Sequence, residues 1–169
     1  MLNEGTHIDL VNRLGMMRRV LNILVPESTS AASEEAGEAA LEAVGRRELT
    51  EAIMLLEDGV QANPFWLRDY LFLATIYEYA QKAELAIATI EQGLAMCACG
   101  LRLFSAQRKP ETQDRINGPL AHRRMWNHVE RLRQYERMFR HRLVMLQIHC
   151  GRFDEAIEQW SAVEEVHCA

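Results

Sequence analysis

Apolar residues return at spacings of three and four along almost the whole chain, and no convincing run of alternating apolar and polar residues is bounded by turn formers. A period of 3.6 places such positions on one side of a helix, so the chain is predicted to be all-α. About seven helices packed as antiparallel hairpins are expected. Ile8, Val11, Leu14, Met17, Leu21 and Leu24 mark the first, and Pro26 stops it. Ser33 is predicted to cap the second, with Glu34 and Glu35 favourably placed in its first turn and Gly45 as its C-terminal cap. Leu49, Ile53, Leu56 and Val60 mark the third. Asn63 is then predicted to cap a fourth helix whose first position is Pro64, where a missing N–H costs nothing. Residues 65–79 are apolar nearly all round and are expected to form the central buried helix. A fifth helix follows from Ala83 to Met96.

The domain reading is a single helical unit over 1–169, with hairpins in 1–96, an irregular connection over 97–119 and an arginine-rich hairpin over 120–169. Lys109-Pro110 and Asn117-Gly118-Pro119 carry the connection. The final hairpin is predicted from Leu120 to His149 and, after Gly151, from Phe153 to Val166. Within this organisation a period stands out. Glu51-Ala52-Ile53, Leu85-Ala86-Ile87 and Glu155-Ala156-Ile157 each open the second helix of a pair, and Ala52 to Ala86 is 34 residues. That is the tetratricopeptide spacing. Small residues recur seven positions on, at Gly59 and Gly93, where close helix approach is expected; the third copy lies 70 residues after the second and has Val163 there. Stacked hairpins of this kind bury one face against a neighbour and leave another for partners.

With 169 residues the chain is large enough for one real core and too short for a cofactor domain beside a substrate domain. It lacks a run of 18 apolar residues and a basic-then-apolar leader, so no membrane span and a cytoplasmic location are expected. Cys97, Cys99, Cys150 and Cys168 are accordingly read as reduced thiols. Charge is unevenly divided. Residues 1–100 hold 7 basic and 15 acidic side chains, a net of −8, whereas 101–169 hold 12 and 9, a net of +3. Arginine dominates the basic stretch from Arg102 to Arg142 and suits forked pairing with carboxylates or phosphates. Without interleaved aromatics or a reading motif, arginines paired along a solvated helix face account for it better than nucleic acid does.

Chemistry is sparsely signalled. There is no phosphate-binding glycine loop, no Gly-x-Ser-x-Gly and no His-Glu-x-x-His. Glu34, Glu35, Glu38 and Glu42 read as a solvated face, and His122, His128 and His141 as surface histidines. Cys97-Ala98-Cys99, His149-Cys150 and His167-Cys168 fall short of zinc-ligand spacing. Neither a cofactor nor a catalytic residue is expected. Among the aromatics, Trp66 and Tyr79 are the predicted surface contacts, because both combine apolar area with a polar handle.

The segment Leu56-Glu57-Asp58-Gly59-Val60-Gln61-Ala62-Asn63-Pro64-Phe65-Trp66-Leu67-Arg68-Asp69 resembles a stretch of the TssA (ImpA/VasJ-related) proteins of bacterial type VI secretion, in their middle helical domain. Asn12-Arg13-Leu14-Gly15 to Val25-Pro26 is similar to that family's entry helix. Tyr135 to Leu143, followed by Gly151-Arg152-Phe153-Asp154-Glu155-Ala156, is similar to a hairpin towards its C-terminal part. The likeness spans most of the chain, and its specific element is Asn63, Pro64, Phe65, Trp66 and Leu67. Cys99 to Ala106 keeps Leu101 and Phe104 of the family's next segment but not its Asp-Gly and Pro-Phe pairs.

The resemblance implies a non-enzymatic assembly protein that docks on the secretion baseplate and coordinates tube and sheath assembly through protein–protein contacts. It implies a homo-oligomer in the cytoplasm. Asn63, Pro64, Trp66 and Leu67 would mainly fix a hairpin corner, with Arg123, Arg124, Arg131 and Arg133 as partner-binding arginines. Other readings are a tetratricopeptide-like adaptor or secretion chaperone, and an arginine-driven nucleic-acid binder whose affinity would fall steeply with salt.

Overall fold

The computed structural model describes residues 4–24, 31–106 and 119–167, with side chains placed for 4–21, 36–105 and 127–161. Among them are seven helices and no strand, so the chain is all-α: α1 (Glu4–Leu24), α2 (Ala31–Gly45), α3 (Leu49–Ala62), α4 (Leu67–Tyr79), α5 (Ala83–Ala106), α6 (Pro119–His149) and α7 (Phe153–His167). They pack as the hairpins α2–α3, α4–α5 and α6–α7, with α3 against α4 and α5 against α6.

One turn geometry makes all three hairpins. Arg47, Gln81 and Gly151 have φ of 68°, 58° and 74°, the left-handed region. Each donates its N–H three residues back, to the carbonyl oxygens of Val44, Glu78 and Ile148 at 2.9, 2.9 and 3.0 Å. The next residue donates five back: Glu48 to Ala43, Lys82 to Tyr77, Arg152 to Gln147 at 2.9, 2.8 and 2.8 Å. This paired closure is the Schellman cap, which satisfies carbonyls a helix end otherwise leaves open. Four residues on, the N–H groups of Ala52, Ala86 and Ala156 donate to Glu48, Lys82 and Arg152 and start the returning helix. All three alanines are buried, which is why the three words recur in the sequence.

The long α5–α6 seam follows from glycine placement. Gly93 faces Phe139, Gly100 faces Leu132, and Phe104 stacks on His128 at 5.9 Å. As positions advance by seven and four on α5, partners retreat by seven and four on α6, which fixes an antiparallel register. A Cβ on Gly93 would stand 2.5 Å from Phe139 Cζ, and one on Gly100 would stand 2.9 Å from Leu132 Cδ1. Phe139 is fully buried and meets Tyr70 of α4 edge-on with ring centroids 6.5 Å apart. The core therefore runs from α2 through α4 and α5 to α6.

Four expectations need correction. The stretch 97–119 is not irregular from its start: α5 continues to Ala106. Gly100 reads as a breaker locally, yet it admits Leu132 from a helix distant in sequence. Asn63 does not cap the fourth helix; it ends α3, donating its N–H to Gly59 at 2.9 Å, and α4 starts at Leu67 rather than Pro64. Pro64 sits instead second in a four-residue turn closed by Trp66 N–H on Asn63 O at 3.0 Å, its preset φ serving the turn. Gly45 is the last residue of α2, and the left-handed residue beyond it is Arg47. Ser33 lies inside α2, which begins at Ala31, rather than ahead of it. Residues 107–118, which include Lys109-Pro110 and Asn117-Gly118, lie outside the described residues.

Ala83–Ser105 is long and apolar enough to cross a membrane, with a mean hydropathy of 1.2. In the fold its Ala86, Ile87, Ile90, Gly93 and Cys97 are buried in the core or against the flanking helices α4 and α6.

Candidate functional site

The family-like segment builds a buried corner where α2, α3 and α4 meet. Because the turn at Pro64 delays the helix to Leu67, Trp66 is carried inward and Phe65 outward, at 9% and 47% exposure. Arg68 and Asp69, the next two residues, are both buried, with Arg68 Nε 3.8 Å from Asp69 Oδ1. The Arg68 guanidinium lies 5.3 Å from the Trp66 ring centre and 5.7 Å from that of Phe72, so two ring faces replace part of its hydration. Glycines on the two neighbouring helices make room for the pair. A Cβ on Gly37 of α2 would stand 2.9 Å from Arg68 Nη2, and one on Gly59 of α3 would stand 3.1 Å from Asp69 Oδ2. Trp66 Nε1 and Arg68 Nε and Nη2 make no hydrogen bond with the described residues. This corner is a packing device with charge at its centre.

A second locus is open to solvent. α1 lies along α2 and α4, with Leu10, Leu14 and Leu21 buried and His7 Nε2 donating to Val44 O at 2.7 Å. The Tyr79 hydroxyl donates to Asp9, Arg13 stands 5.8 Å from the Tyr79 ring centre and 3.7 Å from Glu78, and Arg18 pairs with Glu38. Beyond the flank of α1 a groove of about 430 Å³ opens between four helices, lined by Met17, Leu71, Arg137, Met138, His141, Arg142 and Trp160. Its cationic groups are engaged within the fold. Arg142 reaches across to Glu78, and burial holds its pKa below the ordinary arginine value. Arg137 pairs with Glu130 at 3.1 Å. What remains for a visitor is a soft apolar lining of two methionines, a leucine and a tryptophan, with the exposed His141 beside it. Flexible methionines suit surfaces that repack around side chains of another protein.

The sequence-predicted residues are scattered over these loci. Trp66, expected as a surface contact, is buried beneath Arg68; its amphipathic ring is used to solvate a guanidinium rather than a partner. Tyr79 is half-buried, and burial with the hydrogen bond to Asp9 raises its pKa. It ties α4 to α1. Arg131 is half-buried and Arg133 exposed on α6, and neither makes an ion pair or hydrogen bond with the described residues. Arg123 and Arg124 lie in α6, but their side chains fall outside the described set. Among the described residues the basic stretch is thus paired at Arg137, Arg140 and Arg142, and Arg102, Arg131 and Arg133 make no ion pair.

The convergence of Met17, Leu71, Met138 and Trp160 on one groove left no mark in the sequence, because they come from four helices and share no spacing. Arg68 and Asp69 did leave a signal, two charges inside an otherwise apolar run, and it went unread. Cys97, Cys99 and Cys150 are free thiols, and burial pushes the Cys97 pKa up to about 12. Among the described residues no three His, Cys, Asp or Glu side chains gather where they could hold a metal ion.

No protein-family model matches the chain, and neither a curated protein nor a solved structure matches it.

Proposed function

We propose that this chain is a non-enzymatic scaffold that acts through protein–protein contacts and self-association, in the manner of the TssA-related assembly factors of bacterial type VI secretion. One observation carries the reading: three hairpins closed by an identical turn stack into one body, and beside them lie a groove of about 430 Å³ and helix faces with exposed apolar side chains. Tetratricopeptide-like stacking is the finer form of this reading, and the 34-residue offset between the first two turns supports it. The resemblance over Asn63 to Leu67 directs the proposal towards baseplate, tube and sheath subunits as partners in the cytoplasm. On α6, Arg131 and Arg133 make no ion pair with the described residues and are offered to acidic surfaces, with Arg123 and Arg124 beside them in sequence.

The test is co-expression of the full chain with tagged tube, sheath and baseplate subunits encoded in the same genome, followed by co-elution at rising salt. Co-elution with at least one of them supports the assembly role. Co-elution with none, together with capture of a short peptide in the groove, would replace it by the adaptor reading, which the methionine-lined groove favours.

A further inference from the structure

α1 and α4 are buried in opposite ways. On α1 the buried side chains are His7, Leu10, Leu14 and Leu21, and half-buried Met17 completes a run at steps of three, four, three and four. That spacing sets all five on one narrow strip of the helix. α4 is buried on every side from Leu67 to Tyr77. A core helix packs all round, whereas a helix laid into a groove is anchored along a strip. The groove beneath α1 belongs to α2 and α4, the first helices of the first two hairpins and the ones α1 chiefly packs against.

Both rims of that groove carry a carboxylate, and α1 sets an arginine against each. Arg13, on one side of the strip, stands 3.7 Å from Glu78 of α4, and Arg18, on the other side, pairs with Glu38 of α2. Exposed Glu42 continues the α2 rim one turn on. Smaller ties run from the Tyr79 hydroxyl to Asp9, from Arg47 to Glu4 and from His7 to Val44 O. The two arginines are 34% and 41% exposed, so water can replace these pairs. Glu78 also holds Arg142 and keeps a cation when Arg13 leaves. Beside Met17 the same side of the array lies open as the groove of about 430 Å³ between α4 and α6, where a second helix gains contact before α1 lifts. We propose that α1 is a displaceable occupant of a helix-binding trough on α2 and α4, and that the trough takes in exchange a basic amphipathic helix of another protein. That helix carries large apolar residues at the spacing of α1 and a cation on each side of them. The inference rests on the protein-contact reading above and names its surface and the chemistry that fits it.

The test uses the full chain and a fluorescent peptide with the sequence of residues 4–24. Leu10→Ala with Leu14→Ala in the chain loosens the tethered α1 and leaves the trough intact, so the peptide is expected to bind this variant about tenfold more tightly than wild type. Arg13→Glu with Arg18→Glu in the chain touches only exposed pairs; it should act in the same direction and serves where the leucine variant loses helix content. The same two glutamates placed in the peptide should weaken its binding about tenfold, and more so at low salt. In wild type, amide hydrogen exchange should run about a hundredfold faster in α1 than in α4, because a strip opens without the body. Equal peptide affinity for wild type and both chain variants, or α1 amides as slow as those of α4, overturns the displaceable helix. Glutamates in the peptide without effect overturn the basic partner. A wild-type dimer that the peptide splits into monomers assigns the trough to α1 of a second copy and overturns the foreign helix. None of these failures bears on co-elution with tube, sheath or baseplate subunits, which decides the broader reading by itself.

Discussion

Two regions of this molecule are closed by glycine, and they use the space for opposite purposes. In the α5–α6 seam, Gly93 and Gly100 admit Phe139 and Leu132, so what enters is apolar bulk. At the α2–α3–α4 corner, Gly37 and Gly59 admit Arg68 and Asp69, so what enters is a pair of charges. A Cβ would crowd both places, yet the seam depends on volume and the corner on keeping two charges together. Ring packing in the seam tolerates only exchanges that keep its volume, whereas a buried ion pair punishes removal of one member more than removal of both.

The seam should show the largest single loss. Phe139→Ala removes a fully buried ring shared by α4, α5 and α6 and is expected to cost about 4 kcal/mol in chemical denaturation. Gly93→Ala alone should cost about 2 kcal/mol from overpacking, since the ring it meets has no free direction. In the Phe139→Ala background the same substitution should be neutral or stabilising, because the clash is gone and alanine favours the helix. Additive losses would mean that the glycine serves something other than ring entry.

At the corner, Asp69→Asn should cost about 3 kcal/mol, because Arg68 is left charged, buried and without its carboxylate. Replacing both, as Arg68→Met with Asp69→Leu, should recover most of that loss. A double variant as unstable as the single one would show that the pair contributes more than mutual neutralisation, and would erase the contrast with the seam.

The two regions also differed in how far they could be read from residues alone. Helix positions and the hairpin period were legible because they are local: one left-handed residue, one buried alanine and one apolar stripe set each turn. Gly59 and Gly93 were legible as places of close approach for the same reason. What enters those places was not. Phe139 lies 46 residues from Gly93, and no spacing rule links them; Asp69 lies only ten from Gly59, but the turn at Pro64 between them sets its direction. Phe65 and Trp66 changed places because Asn63-Pro64 serves equally as a helix start or as a turn, and with the turn formed Trp66 lies against the Arg68 guanidinium. The groove was invisible until four helices were brought together.

The seam should also respond to alkaline pH through Cys97. Its thiol pKa is raised by burial from an ordinary 9.0 to about 12, so the folded chain holds a proton that the unfolded chain releases. Its stability contribution is therefore complete below pH 9 and declines between pH 9 and 12, at about 1.4 kcal/mol per unit for one group. Urea midpoints at about pH 8 and about pH 10.5 should diverge more in wild type than in Cys97→Ala. Tyr70, Tyr77 and Tyr79, also raised by burial, leave a residual slope at the upper end that is common to both proteins. Equal slopes in both proteins would assign the alkaline loss elsewhere.

The smallest effect tests what seam and corner have in common, the hairpin turns that set helix spacing. Gly151 occupies the left-handed position at no steric cost, whereas Arg47 and Gln81 hold the same conformation with a Cβ. Each of those two turns carries local strain that the Schellman bonds and the buried alanine after it outweigh. Gln81→Gly removes the strain at an exposed site and should stabilise the chain by about 0.5–1 kcal/mol, the reverse of the usual result for glycine in a helical protein. Gly151→Ala should lose a similar amount. If Gln81→Gly destabilises instead, the glutamine side chain holds the α4–α5 hairpin through contacts of its own, and the three turns are alike in geometry but not in what keeps them closed.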